Sequence, residues 1–112
     1  MRVISGKVKR ALIRAFACLR IQIIALERVL KFYGRNKRGI KNIRDIIKAF
    51  APPSENDTEK YIKSVCRWTG YDPQMELTSP VIASMVITAM IRMETGLQLS
   101  ASHVYEIIIN TK

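Results

Sequence analysis

The chain has few of the residues that build metal sites, disulfide frameworks or nucleophilic active sites. Its 112 residues include two cysteines, Cys18 and Cys66, and one histidine, His103. A zinc finger needs four Cys or His ligands and a catalytic triad needs partners around its histidine, so neither is expected. The cysteines fall within predicted helices, where a free thiol most often serves as a small buried apolar group. The glycines form no phosphate-cradling loop. We therefore expect no metal and no cofactor.

Long apolar runs are also missing. A membrane-spanning helix needs roughly 18 or more uncharged apolar residues, whereas Arg14, Arg20 and Glu27 interrupt the first helical pattern and the apolar run at residues 80–91 is shorter. Residues 1–12 carry basic side chains, but they lack the sustained apolar segment and small-residue cleavage site of a signal peptide. The sequence thus predicts no membrane span, no signal peptide and a cytoplasmic location.

Acidic residues are scarce in the first half of the chain. Residues 1–50 contain fourteen Lys or Arg against two acidic residues, a balance of +12, whereas residues 51–112 contain five against seven, a balance of −2. This asymmetry favours an anionic partner such as nucleic acid, a membrane surface, a polyanionic cell wall or an acidic protein, and a solvated face without a partner is the alternative. Eight basic residues are the candidates for the contact: Arg10, Arg14, Arg35, Lys37, Arg38, Lys41, Arg44 and Lys48.

Helical periodicity dominates what is present. Apolar residues spaced alternately four and three apart predict a helix over residues 7–33 that ends at Gly34; they are Leu12, Phe16, Leu19, Ile23, Leu26, Leu30 and Tyr33. A second helix is marked by Ile40, Ile43, Ile47 and Phe50. Together with the later elements, this pattern predicts an all-α protein, a single compact domain of four to five helices over residues 1–112. Its basic half is residues 1–50 and its apolar, nearly neutral half is residues 51–112.

Three further elements follow in the second half. A helix over residues 57–69 is expected to end at Gly70, and one over Pro80–Thr95 to start at the Ser79-Pro80 pair, since proline at the first helical position loses no needed donor. Gly96 ends that helix, which is apolar on nearly every face and is predicted to be the central one. The isoleucine-rich last segment is predicted as a helix, with a strand as the alternative.

The junction between the two halves carries strong local signals. Pro52 cannot donate a backbone hydrogen bond and pushes the preceding residue out of the helical region, and Pro53 stiffens the turn. Asn56 is the predicted N-cap of the next helix. Glu59 stands three residues later, where the carboxylate of a capping box reaches back to the cap.

This junction also carries a resemblance to a known family. Residues 50–62 read Phe-Ala-Pro-Pro-Ser-Glu-Asn-Asp-Thr-Glu-Lys-Tyr-Ile, followed by Val65 and Thr69-Gly70. The run resembles the motif Trp-Ala-Pro-Pro-x-Glu-Asn-Asp-Thr-x-x-Tyr-Ile of a phage and prophage family usually labelled phage structural protein or lysozyme-like protein. Phe50 replaces the family's tryptophan, and the family's N-terminal Asn-Asn-Pro-Gly-Asn-Ile-Arg element is absent from this chain. The resemblance implies a lysozyme-like helical half, and a location in the host cytoplasm or the virion.

Glu94 is the candidate acid for any wall-cleaving activity, because it matches a family glutamate and follows an apolar helix that can raise a carboxyl pKa. A glycosidase usually needs a second carboxyl, and the family element that would supply it is missing. We therefore expect a non-catalytic protein that docks an anionic surface or an acidic host protein. A residual or split peptidoglycan hydrolase and a non-specific nucleic-acid binder are the alternatives, and the oligomeric state is left open.

Overall fold

Every helix of the fold buries one apolar face against a shared core. A computed structural model describes residues 19–35, 42–51 and 57–110, apart from the side chains at 19, 29 and 32–35. The helices are α1 (Leu19–Arg35), α2 (Ile43–Phe50), α3 (Thr58–Thr69), α4 (Pro80–Thr95) and α5 (Ala101–Asn110). No strand occurs in these ranges beyond one isolated bridge between Asn42 and Glu76. The predicted all-α fold class is confirmed.

The centre of the core is α4, which packs against α5, α3 and α1. Ile87, Met90 and Ile91 of α4 are fully buried, and the other helices each add apolar side chains around them. These include Ile23 and Leu26 of α1, Ile43, Ile47 and Phe50 of α2, Tyr61, Ile62 and Val65 of α3, and Val104 and Ile108 of α5. The radius of gyration, 12.8 Å, is close to the roughly 13 Å expected for a compact chain of this length.

Local signals set both ends of α4. The Ser79 hydroxyl accepts a hydrogen bond from the Ile82 amide at 3.3 Å, and Pro80 opens the helix. At the other end Gly96 adopts φ +81°, a left-handed conformation that residues with a Cβ rarely enter. The predicted bounds of this helix are confirmed, as is the end of α3 at Gly70, whose φ is +77°.

One predicted helix end and one predicted cap need correction. The helix α1 continues through Gly34 to Arg35, so Gly34 does not end it. The N-cap of α3 is Asp57 rather than Asn56, because the Asp57 carboxylate accepts from the Lys60 amide at 3.1 Å. Asn56, Pro52 and Pro53 lie outside the described residues. In the last segment Val104, Ile107 and Ile108 are buried at helical spacing, so the favoured helix is confirmed and the strand is excluded.

The start of α2 is closed by a distant segment. Asn42 caps it by accepting from the Asp45 amide at 2.8 Å. The next two free amides, of Ile43 and Arg44, donate to the carbonyls of Met75 and Pro73, each at 3.0 Å. Because an α-helix leaves its first four amides without internal acceptors, the segment at residues 71–79 supplies what α2 lacks. None of the helices within the described ranges is long and apolar enough to cross a membrane.

Candidate anion-binding surface

The predicted basic candidates divide into described and undescribed residues. Arg44 and Lys48 lie on α2 with their side chains described, and Arg35 is the last residue of α1 with its side chain outside the description. The other five fall outside the described residues: Arg10, Arg14, Lys37, Arg38 and Lys41. The contact that these eight residues were predicted to make therefore stays a prediction.

Arg44 is engaged within the protein. One of its guanidinium nitrogens, Nη1, donates to both carboxylate oxygens of Glu59, at 2.7 and 3.1 Å. The Glu59 carboxylate thus reaches across to α2. Its predicted bond back to Asn56 involves a residue outside the described ranges and stays a prediction. The side chains of Arg44 and Glu59 are 32% and 59% exposed. A pair this open to water contributes little stability, typically below about 1 kcal/mol, although it links the starts of α2 and α3.

A row of cations on α3 was missed by the sequence analysis. Lys60, Lys63 and Arg67 are all exposed, and at 100° per residue their side chains fall within an arc of about 60° on one side of the helix. The opposite side carries Ile62 and Val65, which are buried. We call these three cations the α3 row. Their spacing of three and four residues can be read from the sequence. It was overlooked because charge was summed over the second half of the chain, which is nearly neutral in total.

Within the part of the chain that the structure describes, no carboxylate lies at ion-pair distance from the α3 row. The ion pairs within the described ranges are Lys31–Glu27 and Arg44–Glu59, and neither involves the row. Lys48 adds a further exposed cation. It lies one turn beyond Arg44 on the same side of α2, since residues four apart are neighbours on a helix surface. The exposed surfaces of α2 and α3 therefore present basic side chains available to an outside anion, and together we call them the basic face.

An aromatic side chain stands beside the row. Trp68 follows Arg67 on α3, and Cζ of Arg92 from α4 lies over its ring, 4.1 Å from the ring centroid. This is a cation–π contact, which stabilises by about 0.5–1 kcal/mol where solvent is near. Both side chains are half-buried, so each keeps part of its surface in contact with water. The stack extends the basic face from α3 to α4.

Glu94 lies in the last turn of α4 and inside the core. It is 9% exposed, and the Tyr61 hydroxyl donates to its Oε2 at 2.9 Å across a buried contact. The second buried carboxylate in the described ranges is Glu27, 6% exposed, with Lys31 Nζ 3.5 Å from its Oε1. A carboxyl shielded to this degree meets a polymeric substrate poorly, whereas its bond to Tyr61 ties α4 to α3. The catalytic role of Glu94 stays a prediction.

The remaining residues considered from the sequence have modest surroundings. His103 is exposed on the first turn of α5. Cys66 is a half-buried free thiol whose pKa is raised by burial and by the Asp72 carboxylate, against an opposing effect of Arg44. Cys18 lies outside the described residues. Among the residues that the structure describes, no three His, Cys, Asp or Glu side chains form a group that could hold a metal ion.

The fold and this surface define a small all-α protein with a basic face and an inward-held glutamate. The chain is similar to Protein P5 of Pseudoalteromonas phage PM2, with 42% identity over 69 residues. The match covers 62% of this chain and 42% of the phage protein, so it spans well under two thirds of that relative. No protein-family profile matches the chain, and no solved structure matches it. The predicted relation to phage proteins is supported at this level.

Proposed function

We propose that this chain is a phage-related, non-catalytic binding protein that docks an anionic partner through its basic face. The observation that carries the proposal is the α3 row, whose three exposed cations have no described carboxylate partner. Lys48 of α2 adds a further exposed cation. The similarity to a phage protein supports a place in the infected host's cytoplasm or in the virion.

The charge arrangement favours binding over mere solubility. A protein held in solution by charge gains most from mixed, interspersed signs, whereas the α3 row places three like charges side by side. Like charges at helical spacings of three and four destabilise a helix by a few tenths of a kcal/mol per pair. An anion laid along the row removes that repulsion. Binding of this kind is sequence-independent and weakens as salt is added.

Retention on heparin, a soluble polyanion, tests the proposal. The double substitution Lys60→Gln/Arg67→Gln removes two charges of the α3 row, and glutamine keeps a helix propensity close to that of lysine and arginine. We expect this variant to elute at clearly lower salt than the unmodified chain. Arg20→Gln/Arg28→Gln is the matched control, because it removes two exposed charges from α1. Equal shifts for the two variants would show that only net charge matters and would contradict the proposal.

A residual peptidoglycan hydrolase is the second candidate. Its support is Glu94, a buried carboxyl in the last turn of the apolar α4 that accepts a hydrogen bond from Tyr61. Clearing of a purified cell-wall suspension measures this activity directly. We expect no clearing by the unmodified chain, and clearing that is lost in Glu94→Gln would establish the hydrolase and overturn the non-catalytic assignment.

A further inference from the structure

We infer that the partner of the α3 row is a single strand of nucleic acid, with its phosphates along the row and a base stacked at the Trp68–Arg92 pair. The inference rests on the proposed function, since it names the anion that the basic face would bind. It depends on three observations: the length of the row, the absence of described ion pairs within it, and the half-buried aromatic stack at its flank.

The length of the row suits a phosphate backbone. A helix rises about 1.5 Å per residue, so Lys60 and Lys63 are separated by about 4.5 Å along the axis and Lys63 and Arg67 by about 6 Å. The whole row thus covers about 10 Å. A stacked nucleic-acid strand carries one phosphate per about 3.4 Å, so about three consecutive phosphates lie within reach of the three cations.

The Trp68–Arg92 pair offers a stacking surface, which a polyanion without flat rings does not use. Unpaired bases stack on aromatic rings and on arginine guanidinium planes, and the two groups are already held 4.1 Å apart. On α3 the Trp68 side chain lies about 80° around the axis from Lys60, so it flanks the row without interrupting it. A base can swing from a strand on the row to this stack. In a duplex the bases are paired and inaccessible to it.

Acidic protein segments and wall polymers match the charge of the row but lack a flat heterocycle for the stack. The structure therefore predicts a ranking among anions of similar charge density. A single-stranded oligonucleotide should bind more tightly than the same sequence as a duplex, and more tightly than polyglutamate.

Trp68 provides the readout, because the chain has one tryptophan. Titration with oligothymidylate at low salt is expected to change the fluorescence of Trp68, and titration with polyglutamate is not. With three phosphates neutralised, affinity should fall on the order of 20-fold between 50 and 200 mM salt. Lys60→Gln/Arg67→Gln should flatten the slope of log affinity against log salt by about 1.4, and Arg20→Gln/Arg28→Gln should leave it unchanged.

Substitution at the stack separates base contact from charge. Trp68→Ala should weaken binding of a labelled oligothymidylate by about fivefold to a hundredfold, and Trp68→Phe, which keeps an aromatic ring, should recover most of that loss. Circular dichroism of both variants establishes that the helices are retained. If Trp68→Ala does not fold, Arg92→Gln serves instead and should also weaken oligothymidylate binding.

The outcomes distinguish this inference from the proposed function. Retention on heparin with equal binding of oligothymidylate, duplex and polyglutamate would overturn the single-strand inference while the proposed function stands. Failure to bind heparin or any oligonucleotide would overturn both. Preferential, salt-sensitive binding of the single strand with a fluorescence change at Trp68 would support both.

Discussion

Removing the Tyr61 hydroxyl should destabilise the fold measurably. In Tyr61→Phe the ring still fills its place in the core, where Tyr61 is 1% exposed, but the hydrogen bond to Glu94 at 2.9 Å is lost. A hydrogen bond to a charged group contributes about 1.5–3 kcal/mol. Because Glu94 is itself 9% exposed, water replaces the missing donor poorly. We therefore expect the free energy of unfolding to fall by about 1.5–3 kcal/mol.

The corresponding change in melting temperature follows from the size of the chain. Unfolding entropy is about 2.1 cal/mol/K per residue near 60 °C, so for a chain of this length each kcal/mol lowers the midpoint by about 4 °C. Tyr61→Phe should thus melt about 6–12 °C below the unmodified protein when the helical signal is followed by circular dichroism. Tyr105→Phe is the matched control. Tyr105 is a half-buried tyrosine of α5, and its substitution should change the midpoint by less than about 2 °C.

A double-mutant cycle tests the cause of this loss. In a Glu94→Gln background the acceptor is a neutral amide, so adding Tyr61→Phe should cost only about 0.5–1.5 kcal/mol. Equal costs of Tyr61→Phe in the two backgrounds would refute the carboxylate as the source of the loss. A midpoint of Tyr61→Phe no lower than that of Tyr105→Phe would refute the reasoning that this bond joins α3 to α4.

Three further substitutions or modifications test local features. Gly96→Ala should cost about 1–2 kcal/mol in urea unfolding, because φ is +81° and nothing within 4 Å of the added Cβ provides compensation; an unchanged midpoint would contradict the left-handed cap. Asp57→Ala should cost about 1 kcal/mol, and Asp57→Ser, which keeps an acceptor, much less; equal losses would argue against capping. In a Cys18→Ser background, Cys66 should react with iodoacetamide more slowly in the folded protein at pH 8 than in the denatured protein at the same pH. Burial and the Asp72 carboxylate raise the pKa of the Cys66 thiol and keep it protonated in the fold. Equal rates would show that the fold does not suppress the thiolate.

The parts of the fold that local chemistry decides could be predicted from sequence. The bounds of α4 follow from Ser79, Pro80 and Gly96, each of which acts on its immediate neighbours. The cap of α3 could not be chosen in the same way, because Asn56 and Asp57 are adjacent and both are good capping residues. The choice depends on the path of the chain into the helix. That path involves a contact with an earlier residue, because the Thr58 hydroxyl donates to the carbonyl of Ala51 in a buried hydrogen bond.

The same distinction between local and tertiary signals applies to the candidate site. The pairing of Glu59 with Arg44 joins two helices across the Pro-Pro junction, so no spacing rule within one helix reveals it. The α3 row, in contrast, is a local pattern that a helical projection of residues 58–69 displays at once. Its flank, the contact of Trp68 with Arg92, depends on the packing of α3 against α4 and is therefore a property of the tertiary structure alone.

The contact between residues 71–79 and the start of α2 limits how this protein can vary. Surface turns usually accept insertions, because their backbone amides and carbonyls bond to water. Here the carbonyls of Pro73 and Met75 accept from the amides of Arg44 and Ile43. A residue added between them would shift one carbonyl out of line and leave one amide of α2, a helix of eight residues, without its acceptor. In related sequences the turn should therefore keep a constant length, whereas its exposed side chains can change freely.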